Sequence, residues 1–175
     1  KTRQQYRIDA QSDSLNIMRQ QLEDRPTYTT PKGRTVYGGG GITPDIEISM
    51  REYNLLSWMD LSNNNPNDDP FFRYAQEYAV KNANKWDNAD DFVKGYKLEG
   101  AELDNFIKFL KDNNINFNEQ ILRDEPTDLN EFWIRRYIAE FLWGNIGYSK
   151  SEAVDDNVLS EALKYFPEAE KLVKN

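Results

Sequence analysis

Apolar residues recur at helical spacing over most of the second half of the chain, and this pattern predicts a mainly helical protein. The strongest stretch opens at Thr127. Its apolar side chains lie three or four positions apart: Leu129, Phe132, Trp133, Tyr137, Ile138, Phe141 and Leu142. We expect this stretch to form the central helix, and we expect Gly144 and Gly147 to stop it.

The polar positions of this central helix are predicted to lie on its other face. They are Arg135, Arg136 and Glu140. Arg136 and Glu140 are four residues apart and can form an ion pair, which would contribute a few tenths of a kcal/mol at most.

Two capping signals place the helices that come before it. Ser49 and Glu52 have the capping-box spacing, which predicts a helix that ends near Leu61. Its expected inner positions are Leu55, Leu56 and Met59. Asp69 is expected to cap the next helix, with Pro70 at the first helical position. The apolar stripe of that helix reads as core: Phe71, Phe72, Tyr74, Ala75, Tyr78 and Ala79.

Further helices are predicted on both sides of these. An amphipathic pattern covers residues 2–24, residues 90–93 form one or two turns, and residues 101–113 form a longer helix. Asn118 can cap a brief helix through Leu122. A last helix from about Asp156 is expected to bury Val158, Ala162, Leu163 and Phe166, with Pro167 starting a final turn.

Residues 28–48 break the helical pattern. β-Branched and aromatic residues at 28–30 and 34–37 flank Pro31-Lys32-Gly33, which predicts a β-hairpin. The glycines Gly38, Gly39, Gly40 and Gly41 follow, and Ile42, Ile46 and Ile48 then suggest a short extended segment. Consecutive glycines are costly to order, so we expect them where side chains must be absent or where φ must be positive.

The predicted fold is therefore mainly α: a helical bundle of about five to seven helices, with a β-hairpin and a Gly-rich extended segment near the N-terminus. We divide the chain into residues 1–49, which hold a link helix, the hairpin and the Gly-rich segment, and residues 50–175, which form a helical domain.

Charge and residue usage exclude several function classes. The net charge is −8, which repels phosphate backbones, so we expect no nucleic-acid partner. Histidine and cysteine are both absent, which removes the usual general base, the thiolate nucleophile and the commonest metal ligands. We expect no cofactor and no metal. No apolar run approaches the roughly 18 residues that span a bilayer, so we expect no membrane insertion.

The neighbouring residues argue against motifs for several other chemistries. Proline at position 44 follows the glycine run where a phosphate-binding loop needs a helix start. Asp68 and Asp69 lack the EF-hand spacing, and we interpret them as a loop and a helix cap. No serine lies in a glycine- or alanine-rich elbow, and the paired carboxylates lie beside predicted helix ends. The four tryptophans are interpreted as core or interface aromatics.

Residues 30–45 resemble a motif of the carboxyl-terminal processing, or tail-specific, serine peptidases of bacteria. The motif is T-x-x-G-R-x-V-x-G-G-G-G-I-x-P-D, and every defining position is matched: Thr30, Gly33, Arg34, Val36, Gly38, Gly39, Gly40, Gly41, Ile42, Pro44 and Asp45. A looser likeness to the family's C-terminal extension continues through the helical region. Together the two likenesses cover roughly residues 26–166.

The resemblance implies a part of such a peptidase without its catalytic residues. The family's nucleophilic serine and general-base lysine lie upstream of the glycine motif, in segments that this chain does not contain. We therefore expect a non-catalytic C-terminal fragment that acts as a scaffold or regulator of its own upstream protease core. The resemblance also implies a periplasmic or cell-envelope location. The glycine backbone would pack against that core and would be under-packed without it.

An alternative hypothesis is a helical docking or self-association module. In that case an exposed patch around Trp133, Tyr137 and Trp143 would bind a second copy of the chain or an adaptor protein. The docking hypothesis therefore requires this patch to be exposed on the surface of the helices.

Overall fold

The computed structural model describes residues 26–31, 33, 35–38 and 46–174. Backbone contacts divide the chain into two compact units, Lys1–Glu47 and Ile48–Asn175. The described part of the first unit is a two-stranded hairpin, and that of the second is helical. The mainly α fold class with an N-terminal hairpin is therefore confirmed. The helix predicted over residues 2–24 lies outside the described residues.

The hairpin pairs β1, Thr27–Thr29, with β2, Thr35–Tyr37, in antiparallel register. Tyr28 lies opposite Val36. The turn needs a glycine, since Gly33 has φ +80° and its N–H donates to the Thr30 carbonyl at 2.8 Å. The hairpin predicted from sequence is thus present, with a somewhat longer loop.

Gly38 closes the open end of this hairpin. Its N–H donates to the Pro26 carbonyl at 2.7 Å. A Cβ here would overlap the Tyr28 ring, so a side chain would require that exposed ring to move. The other predicted motif residues, Arg34, Gly39, Gly40, Gly41, Ile42, Pro44 and Asp45, lie outside the described residues, and so does the expectation that the glycine run is under-packed.

Eight helices are present in the described part of the second unit. In chain order they are α1 Leu56–Asn64, α2 Pro70–Lys81, α3 Ala89–Gly95, α4 Gly100–Asp112, α5 Glu119–Asp124, α6 Asp128–Asp155, α7 Asn157–Lys164 and α8 Phe166–Lys174. Helices α2 and α3 both pack against α6, which is the central helix as predicted.

The predicted start of α1 is wrong. The helix begins at Leu56, and the Asn54 side chain accepts the Leu56 N–H at 2.9 Å, so no capping box forms at Ser49. The Ser49 carbonyl instead accepts the Asn157 side-chain amide at 2.7 Å. The expected inner positions Leu55, Leu56 and Met59 are exposed, and Ser57 and Leu61 are the buried ones.

Other helix starts agree with the sequence analysis. The Asp69 carboxylate accepts the Phe71 and Phe72 N–H groups, each at 3.0 Å, and Pro70 occupies the first helical position. Asn118 caps α5 in the same manner, through the N–H groups of Gln120 and Ile121.

The core lies between α6 and the helices packed on it. It is rich in aromatic and branched side chains: Leu61, Phe71, Tyr74, Tyr78, Phe92, Val93, Tyr96, Leu98, Phe106, Ile107, Phe109, Leu110, Ile115, Leu122, Ile134 and Ile138. The predicted stripe of α2 is buried apart from Phe72, which is 42% exposed.

Helix α6 is a hairpin of two helical arms. Gly144, at φ 60° and ψ −147°, breaks the helix between residues 128–143 and residues 145–155. Arg135 pairs with Asp155, and a straight helix would separate these residues by about 30 Å. Gly144 therefore ends the first arm as predicted. Gly147 lies inside the second arm and does not stop it.

The two arms pack closely because Gly147 has no side chain. A Cβ at that position would overlap the backbone carbonyl of Ala139 on the first arm. Arg136 on the first arm pairs with Glu152 on the second at 3.3 Å and stacks on Tyr148, with 4.0 Å from the guanidinium carbon to the ring centroid. The predicted pair of Arg136 with Glu140 does not form, since these contacts hold the guanidinium across the arms.

Helices α7 and α8 contradict the predicted burial at the C-terminus. Asp156 caps α7 as expected, by accepting the Leu159 N–H at 2.8 Å. However, Val158, Leu163 and Phe166 are exposed, Leu163 by 54% and Phe166 by 61%, and α7 has no buried residue. The apolar face exists, but no described element covers it.

Candidate functional site

The structure brings together two of the three residues that the sequence marks as a partner surface. The ring centroids of Trp133 and Tyr137, one turn apart on α6, are 6.0 Å apart, and both side chains are partly exposed. All three side chains are partly buried against the core, but the Trp143 ring lies 5.5 Å from that of Phe92 and does not line the groove that the other two form. The candidate surface is therefore centred on Trp133 and Tyr137.

These two rings line a groove of about 300 Å³, which we call the aromatic groove. Its other walls come from α1, from the loop after it and from the start of α2. The lining residues are Trp58, Ser62, Asn65, Pro66, Asp68, Asp69, Pro70, Phe71, Trp133 and Tyr137.

Asn65 holds the loop that forms one side of the aromatic groove. Its side-chain amide donates to the carbonyls of Leu61 and Asn116, each at 2.7 Å, and its side-chain oxygen accepts the Asn116 N–H at 3.1 Å. Pro66 and Pro70 stiffen the same loop at both ends. These hydrogen bonds and prolines thus fix the backbone that shapes the groove.

Asp69 and Tyr137 meet across the groove. One Asp69 oxygen caps α2, and the other accepts the Tyr137 hydroxyl at 3.1 Å. Burial, together with the nearby Asp69 carboxylate, raises the pKa of Tyr137 to about 12. The Tyr137 hydroxyl therefore stays protonated at neutral pH and remains a donor to Asp69.

Of the two carboxylates that line the groove, Asp69 is the one without an ion-pair partner among the described residues. Asp68 pairs with Arg73 at 2.5 Å, and Arg136, near Trp133, pairs with Glu152 at 3.3 Å. Among the described residues, no cation lies within ion-pair distance of Asp69. The groove thus combines aromatic walls with one formal negative charge.

A second apolar feature adjoins the groove. Phe72 and Phe141 are each 42% exposed, and their ring centroids are 5.2 Å apart. The Phe72 ring meets Tyr137 edge-on at 5.3 Å. We call Phe72, Tyr137 and Phe141 the aromatic ridge.

Arg135 does not lie on the solvent face that the sequence predicts for it. It is only 1% exposed and pairs with Glu131 at 2.7 Å and with Asp155. Glu131 also accepts from Lys97 at 3.0 Å, and Arg51 lies 3.7 Å from Asp155. A carboxylate four residues before Arg135 was the only sequence signal for this network.

A wider groove of about 420 Å³ lies between α2 and α4. The Tyr74 hydroxyl donates to Glu102 at 2.5 Å there, and burial followed by that hydrogen bond raises the pKa of Tyr74 far above its ordinary value. The Lys85 ammonium contacts the Tyr78 hydroxyl at 3.2 Å. Because these polar groups satisfy one another, they read as part of the packing between the two helices.

The paired carboxylates from the sequence analysis have structural partners. Asp90 pairs with Lys150, and hydrogen bonding to that ammonium lowers the pKa of Asp90. Asp155 pairs with Arg135, and Asp124 accepts the Gln120 side-chain amide at 2.5 Å. Within the described ranges, no three His, Cys, Asp or Glu side chains are grouped so as to hold a metal ion.

No helix in the described part of the chain is both long enough and apolar enough to span a membrane. Comparison of the sequence with protein-family models and with curated proteins, and of the structure with solved structures, finds no significant match.

Proposed function

We propose that this chain is the non-catalytic C-terminal portion of a carboxyl-terminal processing serine endopeptidase, and that its helical unit acts as a scaffold or regulator of the protease core. The parent would cleave proteins with a Ser/Lys dyad in the periplasm or cell envelope. The observation that carries the proposal is the complete match of residues 30–45 to the peptidase motif, directly before a separately packed helical unit.

Two glycines of the motif have a backbone reason that supports this proposal. Gly33 needs its positive φ for the hairpin turn, and Gly38 lies against the Tyr28 ring, which would have to move to admit a side chain. Glycines that have a geometric role at fixed positions identify a motif more specifically than a low-complexity run of glycines does.

The regulatory role is tested by deletion in the parent protein. A parent that lacks residues 50–175 should lose most of its cleavage of an unfolded protein substrate, or should fail to fold as judged by circular dichroism. A parent that carries Leu163→Ser, a change at an exposed position, is the matched control. If the deletion leaves both folding and cleavage intact, the helical unit is neither scaffold nor regulator.

The family assignment has its own test. The coding region upstream should encode a serine in a small-residue segment and a lysine in a Gly-Lys-Gly context, both before Thr30. Absence of both segments would remove the peptidase assignment. It would leave the helical unit open to the second function.

A second function, protein docking or self-association, is favoured by the aromatic ridge. Monomeric proteins rarely leave adjoining aromatic rings this exposed without a use. Sedimentation velocity of the chain should show self-association that Phe72→Ser with Phe141→Ser abolishes. A monomer at all concentrations would leave a partner of another sequence as the only occupant of the ridge, and capture of the purified adaptor by wild type but not by the double variant would identify it.

A further inference from the structure

We infer that the aromatic groove binds a basic side chain, lysine or arginine, presented by an extended peptide segment. The inference rests on the docking function above and not on the peptidase assignment. It concerns a surface separate from Phe72 and Phe141, since neither of those residues lines the groove.

The walls of the groove suit a cation. The aromatic side chains of Trp58, Trp133 and Tyr137 line the groove, and an indole is the best side chain for holding a cation over its ring. The chain already uses Trp133 in this way, because the guanidinium carbon of Arg136 lies 5.1 Å from the ring centroid of Trp133. A second guanidinium or ammonium entering the groove would meet the same kind of surface.

The charge of the groove suits the same occupant. Asp68 pairs with Arg73 and Arg136 pairs with Glu152, whereas Asp69 and Glu140, the two carboxylates that act on the Tyr137 hydroxyl, have no ion-pair partner among the described residues. One Asp69 oxygen caps α2, and the other accepts the Tyr137 hydroxyl at 3.1 Å, so the carboxylate is held in place beside the aromatic rings. A carboxylate beside aromatic faces is the combination that favours a cationic side chain over a neutral one.

The size and stiffness of the groove favour an extended peptide. About 300 Å³ is enough for one long side chain and the backbone beside it. Asn65 and the two prolines hold the loop in place before any ligand arrives, which lowers the ordering cost of binding. Because the chain carries a net charge of −8, a basic partner is attracted at long range.

The test uses two synthetic pentapeptides, Ac-Ala-Pro-Arg-Pro-Ala-NH2 and the same peptide with citrulline, the uncharged analogue of arginine. Binding to the full chain is followed by intrinsic tryptophan fluorescence and by amide shifts in NMR. The arginine peptide should bind about tenfold more tightly than the citrulline peptide. That preference should shrink as salt rises from about 0.05 to 0.5 M, because the pair with Asp69 is screened.

Asp69→Asn separates the charge of this residue from its capping role. Asparagine caps helices as well as aspartate does, so α2 should keep its start while the groove loses its charge. The variant should bind the arginine peptide about tenfold more weakly and the citrulline peptide unchanged. Asp87→Asn removes one charge from an exposed position outside the groove and is the matched control.

Several results would overturn the inference. They are equal binding of the two peptides, unchanged arginine-peptide affinity in Asp69→Asn, an equal loss in Asp87→Asn, and no binding at millimolar peptide. Self-association that Trp58→Leu abolishes would also overturn it, by showing a second copy in the groove. Self-association that only the Phe72 and Phe141 changes abolish would preserve the docking function even if both peptides fail to bind.

Discussion

Helix α6 and the pair α7–α8 have the same kind of apolar periodicity but opposite surroundings. The first arm of α6 buries Ile134, Ile138 and Ala139 under α2 and α3. Helices α7 and α8 present Leu163 and Phe166 to solvent. The spacing of apolar residues therefore predicts which face of a helix is apolar, whereas burial of that face depends on whether another element packs against it.

Helix α6 also contains a buried charged residue. The difference between α6 and the pair α7–α8 can therefore be measured through the stability of variants. Arg135 is inside because Glu131 and Asp155 reach it from the two arms of α6. The charged residues of α7 stay at the surface, where Lys164 pairs with Glu161. Substitutions in the two regions should thus differ sharply in their effect on the free energy of unfolding.

The largest effect is expected for Arg135→Met. The methionine fills similar space but leaves the carboxylates of Glu131 and Asp155 without their buried partner. We expect a loss of about 3–5 kcal/mol in the free energy of unfolding, measured by urea denaturation.

Arg123→Met is the control for that change. Arg123 is exposed and pairs with Asp104 and Glu119 at the surface, so its removal should cost less than about 1 kcal/mol. Equal losses in the two variants would mean that the network around Arg135 contributes no more than a surface pair.

Gly147→Ala should have the next largest effect. The added methyl group would overlap the Ala139 carbonyl, so the two arms of α6 must separate. We expect a loss of about 1–3 kcal/mol by thermal denaturation. Ser149→Ala, an exposed change on the same arm, should leave the midpoint almost unchanged. A more stable Gly147→Ala variant would show that the arms are not in close contact.

The pH dependence of stability should change at Tyr74. The pKa of this residue is raised in the folded protein, so above pH 10 the unfolded chain releases a proton that the folded chain retains. Stability from this group is complete below pH 10 and falls as the pH rises beyond it. Tyr74→Phe should reduce the fall in melting temperature between pH 9 and 11, at a cost of about 1 kcal/mol at neutral pH.

Tyr165→Phe supplies the comparison from the uncovered region. Tyr165 is exposed between α7 and α8, so loss of its hydroxyl should leave the melting temperature at neutral pH almost unchanged. If the melting temperature of Tyr74→Phe falls between pH 9 and 11 as steeply as that of the wild type, the Tyr74 hydroxyl does not hold its proton more tightly in the folded state.

Features set by a few neighbouring residues could be predicted from the sequence. The caps at Asp69 and Asn118, the hairpin turn at Gly33 and the position of the apolar stripe on α2 depend on side chains within a few residues of one another in the sequence. The start of α1 could not be predicted, because the Ser49 carbonyl is taken by Asn157 from the far end of the unit.

The same distinction holds at the candidate site. Trp133 and Tyr137 share one helix face, so their proximity follows from spacing. Their opposite wall could not be foreseen, since Trp58 and Asp69 reach them only through tertiary packing. Arg135 looked exposed for a related reason: Asp155 returns to it only because α6 turns back at Gly144.

The smallest effect is expected in α7 and α8, and it is the sharpest test of the contrast. Leu163→Ser and Phe166→Ser remove apolar side chains that are already more than half exposed, so each should change the free energy of unfolding by no more than about 0.5 kcal/mol. Ile138→Ser, the same kind of change under α2, should cost several times more because it buries a hydroxyl and leaves a cavity. If Leu163→Ser or Phe166→Ser is instead as costly as Ile138→Ser, the apolar face of α7 and α8 is covered in solution. If this loss in the free energy of unfolding then depends on protein concentration, the covering surface belongs to a second copy of the chain, because only an intermolecular contact follows mass action.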